Sequence, residues 1–575
     1  MALKNVFIRH FPALLCGLLL ALWVGLPSVV FFQRAGDQFQ GIYPEINGDR
    51  LYYHTRIHEV LDGHPAINRP YFFEHKDILY PQATGAERFV AFLVRIFSTS
   101  LQQLQLVLDF VAPLIIFLLS YALFYKLAPH RLTAIVLPFI LFFIIPADLA
   151  KPINPQITFP LLLLFLLLWM LMIQKTIHRL WYALGAGVVL GLLFLTYFFH
   201  WSFLVVLVGL YVIGLLMKKE FKTLPLYGVL FGVAILVGIP YFIQIFQGMG
   251  APFHAETAVR VGVYHSYFPE SLPRLAVAVV WFLFFAWFVR LYKIEKQPMT
   301  LVVASFLLAN ILYPNHQIIT HTIIQNANHW SFMPLFIYAL TLHYFFSVVH
   351  EKNLVRASRW LLAVAVILFL IPVVRFATFT YYSTVHNLVA RDAETAQRYG
   401  IVIGWINQNT QSDEVIFSDT NTMRLIPAYT AANVYYDNYA MNLPGSDREV
   451  AERALLSHFF DPAFFEHPTF GMDESTRILW TQPAQSERST HRLHDFFRVS
   501  YEKQYNLERE RALIDGVYKD LQKEGWSVDV LKRYHVDYIM WDKRTYPDWH
   551  LEQFDALERI ADINDFSVWR FVTSS

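Results

Sequence analysis

The chain has 575 residues, of which 55% are hydrophobic and only 16% charged, against about 25% charged in an ordinary soluble domain. A net charge of +1 at pH 7 offers no electrostatic footprint for nucleic acid. The single cysteine, Cys16, excludes an internal disulfide and a thiolate metal cluster.

The first apolar run, Phe11 to Phe32, follows Lys4 and Arg9. It is too long for a signal-peptide core and shows no small-x-small cleavage pattern, so it reads as a retained first helix. A bilayer core requires about 20 apolar residues per helix. On that criterion about eleven spans are expected, at 11–32, 104–125, 132–146, 157–173, 180–198, 202–217, 224–245, 274–290, 299–313, 331–349 and 360–376. Lys and Arg cluster in alternate connections: Lys126/Arg131, Lys175/Arg179, Lys218/Lys219/Lys222, Arg290/Lys293/Lys296 and Lys352/Arg356/Arg359. The other connections carry little beyond Lys151 and Arg260. This alternation predicts a cytoplasmic N-terminus, with loop 33–103 and everything after about residue 377 outside.

Loop 33–103 contains Asn47-Gly48-Asp49-Arg50-Leu51-Tyr52-Tyr53-His54. A helical pattern runs from Asp49 to Leu61 and is ended by Gly63 and Pro65. Asp49 is therefore expected at the N-cap or first turn. Two readings follow: a helix cap, or a carboxylate held at the membrane surface to act on a lipid-linked substrate. His54 and His58 stand at i, i+4, a zinc-compatible spacing with no third ligand assured. Segment 85–98 is amphipathic and is expected in the plane of the interface. Asp148 follows the third span.

After Phe376 charged residues become frequent and long apolar runs stop. Strands are expected at 414–419, 433–436, 536–541 and 566–571. Helices are expected at 388–408, 447–459 and 486–525, with the end of another at 528–534. The alternation predicts an α/β layer. No Gly-rich phosphate loop or nucleophile elbow follows any of these strands, so a cap or acceptor platform is expected rather than a second active site. The expected architecture is an α-helical polytopic membrane domain, residues 1–376, followed by an extracytoplasmic α/β domain, residues 377–575.

The chain resembles the GT-C superfamily of polytopic glycosyltransferases. The resemblance rests on Gly48-Asp49-Arg50-Leu51-Tyr52-Tyr53-His54-Thr55-Arg56, on Leu61-Asp62-Gly63-His64-Pro65 and Tyr80-Pro81, and on Asp148. Gly404-Trp405-Ile406-Asn407, Leu425-Ile426-Pro427-Ala428-Tyr429-Thr430 and Val536-Asp537-Tyr538-Ile539 are similar to the C-terminal region of bacterial members. There are departures. Arg50 stands where aminoarabinose and mannosyl transferases often have Glu. The Trp-Trp-Asp-Tyr-Gly signature of oligosaccharyltransferases has only the loose echo Tyr435-Tyr436-Asp437-Asn438-Tyr439. A late-span Arg before Pro is replaced by His329-Trp330-Ser331-Phe332-Met333-Pro334.

What the resemblance implies is sugar transfer from a polyprenyl-phosphate donor to a lipid, glycan or protein acceptor, on the outer face of a bacterial plasma membrane. Attack by an acceptor hydroxyl requires a base, and Asp49 is the candidate. The leaving lipid phosphate requires positive charge, for which Arg56, Arg69, Lys76, Lys151, Arg260 and His329 are unranked candidates. Tyr52, Tyr53 and His54 are candidates for substrate contact, as are Tyr71, Phe72 and Phe73, whose alternative is a packed loop core. Asp49 and Asp148 could together hold a divalent cation, Mg²⁺ or Mn²⁺. The rival classes are a transporter or flippase, which would place ionisable groups at mid-membrane, and a non-catalytic scaffold of the same fold.

Overall fold

The computed structural model describes residues 2–46, 48–65, 67, 70–76, 78, 82–175, 177–269, 271–324, 329, 332–352, 395–462, 492–499 and 505–572, with positions 363, 366, 367, 370, 371, 374, 479 and 487. The membrane half begins α1 (Ala2–Ala35), α2 (Arg50–Leu61), α3 (Gly85–Phe97), α4 (Leu101–Leu127), α5 (Arg131–Phe143), α6 (Pro146–Leu149) and α7 (Thr158–Gln174). It continues α8 (Arg179–Thr196), α9 (Phe198–Met217), α10 (Leu224–Met249), α11 (His254–Arg260), α12 (Leu272–Tyr292), α13 (Pro298–Leu312), α14 (Gln317–Thr320) and α15 (Met333–Glu351).

Among the described residues eight helices are long and apolar enough to cross a membrane, namely α1, α4, α8, α9, α10, α12, α13 and α15. The helices α5 and α7 are shorter and equally apolar. These ten match the first ten expected spans to within a few residues, α1 extending furthest beyond its expected start. The last, 360–376, lies outside the described residues except at scattered positions. Such runs form helices because every backbone N–H and C=O must be satisfied within the segment when water is absent. Close approach of α8 to α10 depends on small residues: a Cβ at Gly187 would come within 2.6 Å of the Leu230 carbonyl, and one at Gly191 within 2.9 Å of the Ala234 carbonyl.

The helix α2 starts where the sequence predicts. Ile57 and Val60 pack with Val90 and Val94 of α3, Leu101 and Leu104 of α4, and Ile153. The other face of α3 leaves Phe89, Phe92, Ile96 and Phe97 exposed, as expected of a helix lying in the interface. Two short strands, β1 (Val263–His265) and β2 (Thr322–Ile324), pair antiparallel across two loops.

The C-terminal part is an α/β domain. Its strands are β3 (Val415–Phe417), β4 (Asn433–Val434), β5 (Tyr538–Asp542), β6 (Leu557–Ile563) and β7 (Phe566–Phe571), in the order β4-β3-β5-β7-β6. The strand β3 runs parallel to both neighbours, whereas β5, β7 and β6 are antiparallel. Its three residues are all buried, which explains why that strand reads as a short unbroken apolar run. The helices are α16 (Tyr399–Asn409), α17 (Thr420–Tyr429), α18 (Asp447–Leu456) and α19 (Leu507–Glu524).

Several expected bounds are corrected. Residues 528–533 are a 3-10 turn rather than the end of an α-helix. The α-helix expected from 388 starts at Tyr399. The helix expected over 486–525 is helical at 487 and 492–497, is interrupted at 498–499 and 505–506, and resumes as α19, capped by the Asn506 side chain. The parts of both that fall at 388–394 and across most of 486–504 lie outside the described residues.

The first loop is built into this domain. The Pro70 carbonyl accepts from Val434 N–H at 2.8 Å, and Tyr71 and Phe72 sit in the domain's hydrophobic core. Gly400 packs so tightly on the loop that a Cβ there would lie 1.9 Å from the Gln40 carbonyl oxygen.

Candidate functional site

Asp49 is positioned by its neighbour. The Arg50 side chain is 3% exposed and donates to both Asp109 oxygens, at 2.9 and 3.1 Å. It also donates to the carbonyls of Ala150 and Pro44, each at 3.1 Å. Gln105 and Gln156 donate to Asp109 as well, each at 2.8 Å. A buried charge pair is tolerable only with such additional hydrogen bonds. The result is register: residues 49–50 are tied to residues 150–151, and Lys151 arrives beside Asp49.

Lys151 Nζ pairs with Asp49 Oδ2. Asp49 occupies the N-cap of α2, yet its side chain makes no capping hydrogen bond. The carboxylate, 46% exposed, faces the ammonium rather than the helix amides. Asp148 lies on α6, three residues before Lys151. Desolvation pushes its carboxyl up to about 6; the Asp49 charge adds to the rise and the Lys151 charge opposes it. Two acids and one ammonium therefore share one patch.

Aromatic groups form its walls. The Lys151 ammonium lies 5.8 Å from the centroid of the Tyr53 ring. Asn154 Nδ2 donates to the Tyr197 hydroxyl at 2.8 Å, and that hydroxyl meets His329 Nδ1, also at 2.8 Å. Desolvation, with the Lys151 charge, pushes the His329 imidazole down to about 4. It is thus a neutral group near pH 7, stacked on Phe199 at 4.1 Å. The C-terminal domain closes the other side. The Tyr439 hydroxyl donates to the Gly48 carbonyl at 2.7 Å, and its ring lies 4.9 Å from Tyr52. Arg424 donates to Glu45 at 2.7 Å and to the Gly48 carbonyl at 3.1 Å.

Of the six candidate phosphate partners, Lys151 and His329 are at this patch, and His329 is there as a neutral ring rather than a cation. Arg69 lies outside the described residues. The other three are held by acids outside the patch, although Arg56 reaches its edge by donating to the Tyr52 hydroxyl at 3.1 Å. Arg56 ties α2 to α3 by donating to Glu87 at 2.7 Å. Lys76 pairs with Asp413 of the C-terminal domain at 2.9 Å. Arg260, 1% exposed, bonds Asp447 and the carbonyls of Met441, Leu443 and Gly445. Tyr52 and Tyr53 are half-buried at the patch. His54 is 2% exposed, on the face of α2 turned toward Arg50 and Gln105, and is removed from substrate contact. Desolvation pushes its imidazole down to about 3. Tyr71 and Phe72 are core residues. Among the described residues no group of three or more His, Cys, Asp or Glu converges to hold a metal ion.

Nothing in the sequence marks Asn154, Tyr197 or Arg424 as site residues. Arg50 and Asp109 left a signal as an Arg at the departure from the family pattern and an acid near the end of an otherwise uncharged span, and Tyr439 only as the last residue of the loose echo 435–439.

No family model and no curated protein matches the chain. Solved structures do. The archaeal oligosaccharyltransferase AglB from Archaeoglobus fulgidus, in complex with an inhibitory peptide and a dolichol-phosphate, is 13% identical with a TM-score of 0.50. The match covers 94% of this chain and 70% of that one. A second structure of that enzyme, in complex with Zn and sulfate, has a TM-score of 0.49 at 13% identity, covering 93% of this chain and 68% of that one. ArnT from Cupriavidus metallidurans, bound to undecaprenyl phosphate, is 10% identical with a TM-score of 0.43, over 96% of this chain and 98% of that one. At these identities the likeness is one of fold, and the fold shared with AglB is GT-C.

Proposed function

We propose that this chain, a multi-pass membrane protein with the GT-C fold, is a glycosyltransferase that moves a sugar from a polyprenyl-phosphate-type lipid to an acceptor. In this reading the N-terminus is cytoplasmic, residues 377–575 form the extracytoplasmic domain, and the membrane is a bacterial plasma membrane. The observation that carries the reading is the Asp49–Lys151 pair beside Asp148. It lies where the first loop, the 146–157 segment and the C-terminal domain meet, on the face of the spans that carries that domain.

The step follows from these groups. The acceptor hydroxyl oxygen attacks the anomeric carbon, and its proton passes to the Asp49 carboxylate. The bond from that carbon to the phosphate oxygen breaks, and its electron pair leaves on the phosphate. Lys151 balances the charge on that leaving group. One carboxylate and one cation suffice, unlike glycoside hydrolysis with its two carboxylates. A single displacement inverts the anomeric centre. Tyr52 and Tyr53 offer ring faces to the sugar.

The residues fit a divalent cation only in part. Asp49 and Asp148 are two oxygen donors, and the Lys151 ammonium occupies the same patch. No step here is routed through a metal. A chelator is expected to leave transfer within about 2-fold of its untreated rate, measured as release of polyprenyl phosphate. Loss of activity with chelator, regained with Mg²⁺ or Mn²⁺, would instead put a divalent ion between Asp49 and Asp148.

The raised Asp148 pKa has a pH consequence. Its carboxyl keeps a proton below about pH 6 and becomes charged above it. An ionised Asp148 competes with Asp49 for Lys151, which loosens the Asp49 pair and frees that carboxylate to meet the acceptor hydroxyl. Activity is therefore expected to rise through about pH 6 and to lose that limb in Asp148→Asn, read from kcat/KM against pH. An unchanged profile in Asp148→Asn contradicts this role. The proposal as a whole is tested by presenting the purified protein with polyprenyl-phosphate sugars and assaying product by mass.

A further inference from the structure

The helices α12 and α13 are joined by a short connection and pack together. Their far ends, Leu272 and Leu312, therefore mark one surface of the membrane. Just beyond those ends lie Tyr267 and Phe268 on one side and α14 on the other. The two loops are tied by the β1–β2 ribbon, by Ser266 N–H donating to the His321 carbonyl at 3.1 Å, and by Gln317 donating to the Phe268 carbonyl at 3.3 Å.

A segment of the C-terminal domain, residues 492–499, comes down to this level. The Phe497 ring stacks on Phe268 at 5.5 Å, and buried His494 meets the edge of the same ring at 4.4 Å. Around this junction apolar side chains point outward: Phe496 is 78% exposed, Phe497 55% and Ile319 74%. Arg492 and Arg498 flank the phenylalanines and are exposed, against one acid, Asp495. Contiguous exposed apolar side chains at the end of two membrane spans, rimmed by arginines, fit the boundary between headgroups and acyl chains.

We infer that residues 496–499, with α14, form a membrane-docking surface by which the C-terminal domain inserts into the headgroup layer, with Arg492 and Arg498 on anionic phospholipid. The surface is continuous with the ends of α12 and α13. The exposed face of α3, which ends just before α4 enters the same side, lies at the same level. The domain is thereby held at a fixed height, which keeps Tyr439 on the Gly48 turn. The inference does not depend on Asp49 being a base.

The test uses the full chain in nanodiscs, with Cys16→Ser and a nitroxide on Phe497→Cys. A parallel label on Lys523→Cys, an exposed position on α19, is the control. Collision with oxygen is compared with collision with a water-soluble nickel complex. In discs containing phosphatidylglycerol, the label at 497 is expected to favour oxygen several-fold over the control. That preference is expected to fall in phosphatidylcholine discs and in Arg492→Gln/Arg498→Gln. Equal accessibility at the two positions overturns the docking surface. Spin–spin broadening at 497 that disappears on dilution with unlabelled protein also overturns it, because the occupant is then a second copy. An oxygen preference indifferent to lipid charge overturns the role given to the arginines. Phe496→Cys, which leaves the Phe268–Phe497 stack intact, repeats the measurement if the 497 variant fails to fold.

Discussion

Asp49→Asn is expected to lower kcat by about 10²- to 10⁴-fold, the range typical for loss of a positioned base. The variant keeps the shape of the side chain and the N-cap preference of the position. Asp49 is half-exposed and makes no capping bond, so stability is expected to change by no more than about 0.5 kcal/mol. Donor affinity is expected to hold or improve, because Lys151 is released from its partner toward the phosphate. The measurement is the rate of polyprenyl phosphate release at saturating donor, with elution and melting of the purified variant as the folding control. A folded variant with full rate contradicts the assignment, and the carboxylate is then only a counter-ion for Lys151.

Arg50→Ala is expected to be the most destabilising single change in the first loop. It removes one partner of a buried pair and leaves the Asp109 carboxylate, 0% exposed, with only Gln105 and Gln156. Breaking such a pair costs about 3–5 kcal/mol. It also cuts the tie to the Ala150 carbonyl that brings Lys151 to Asp49, so activity falls further than the folded fraction. Arg50→Lys keeps a charge but cannot reach Asp109, Ala150 and Pro44 together, because an ammonium lacks the planar fork. The paired replacement Arg50→Leu/Asp109→Leu is expected to recover much of the stability and little of the activity. The readout is the thermal inactivation half-life of the solubilised protein beside its initial rate. Equal half-lives for Arg50→Ala and the parent chain would remove Arg50 from this positioning role.

The membrane half was legible because each span is a long apolar run and its physics is local: in lipid, a backbone without water forms a helix. Asp49 at the start of α2 was legible for the same reason, from a helical pattern with Gly63 and Pro65 closing it. The C-terminal strands β3, β5 and β7 were legible as short apolar runs. The strand β6 was missed because Leu557–Ile563 carries Glu558, Arg559 and Asp562 and buries only Leu557. As an edge strand pairing only with β7, it has no need of an apolar run. The helix α17 was missed because Thr420, Asn421, Thr422 and Pro427 read as loop residues; Asp419 caps it with bonds to the N–H groups of Asn421 and Thr422.

The site was legible one residue at a time and not as a set. Lys151 meets Asp49 across 102 positions, and Arg50 meets Asp109 across 59. No spacing rule connects such partners. Which cation stays available to a ligand depends on which acids the fold brings to it. Glu87, Asp413 and Asp447 engage Arg56, Lys76 and Arg260, and the sequence carries no sign of those pairings.

The central claim is that Asp49 and Lys151 act on a sugar linked to a lipid phosphate. The most direct measurement is turnover of a panel of radiolabelled polyprenyl-phosphate sugars by the purified chain in liposomes, with membrane extract as acceptor. The parent chain is expected to release polyprenyl phosphate from at least one donor and to label an acceptor. Asp49→Asn is expected to bind that donor with release reduced at least about 10²-fold. Equal release by the two proteins, or donor passing intact across the bilayer without release, would contradict the account.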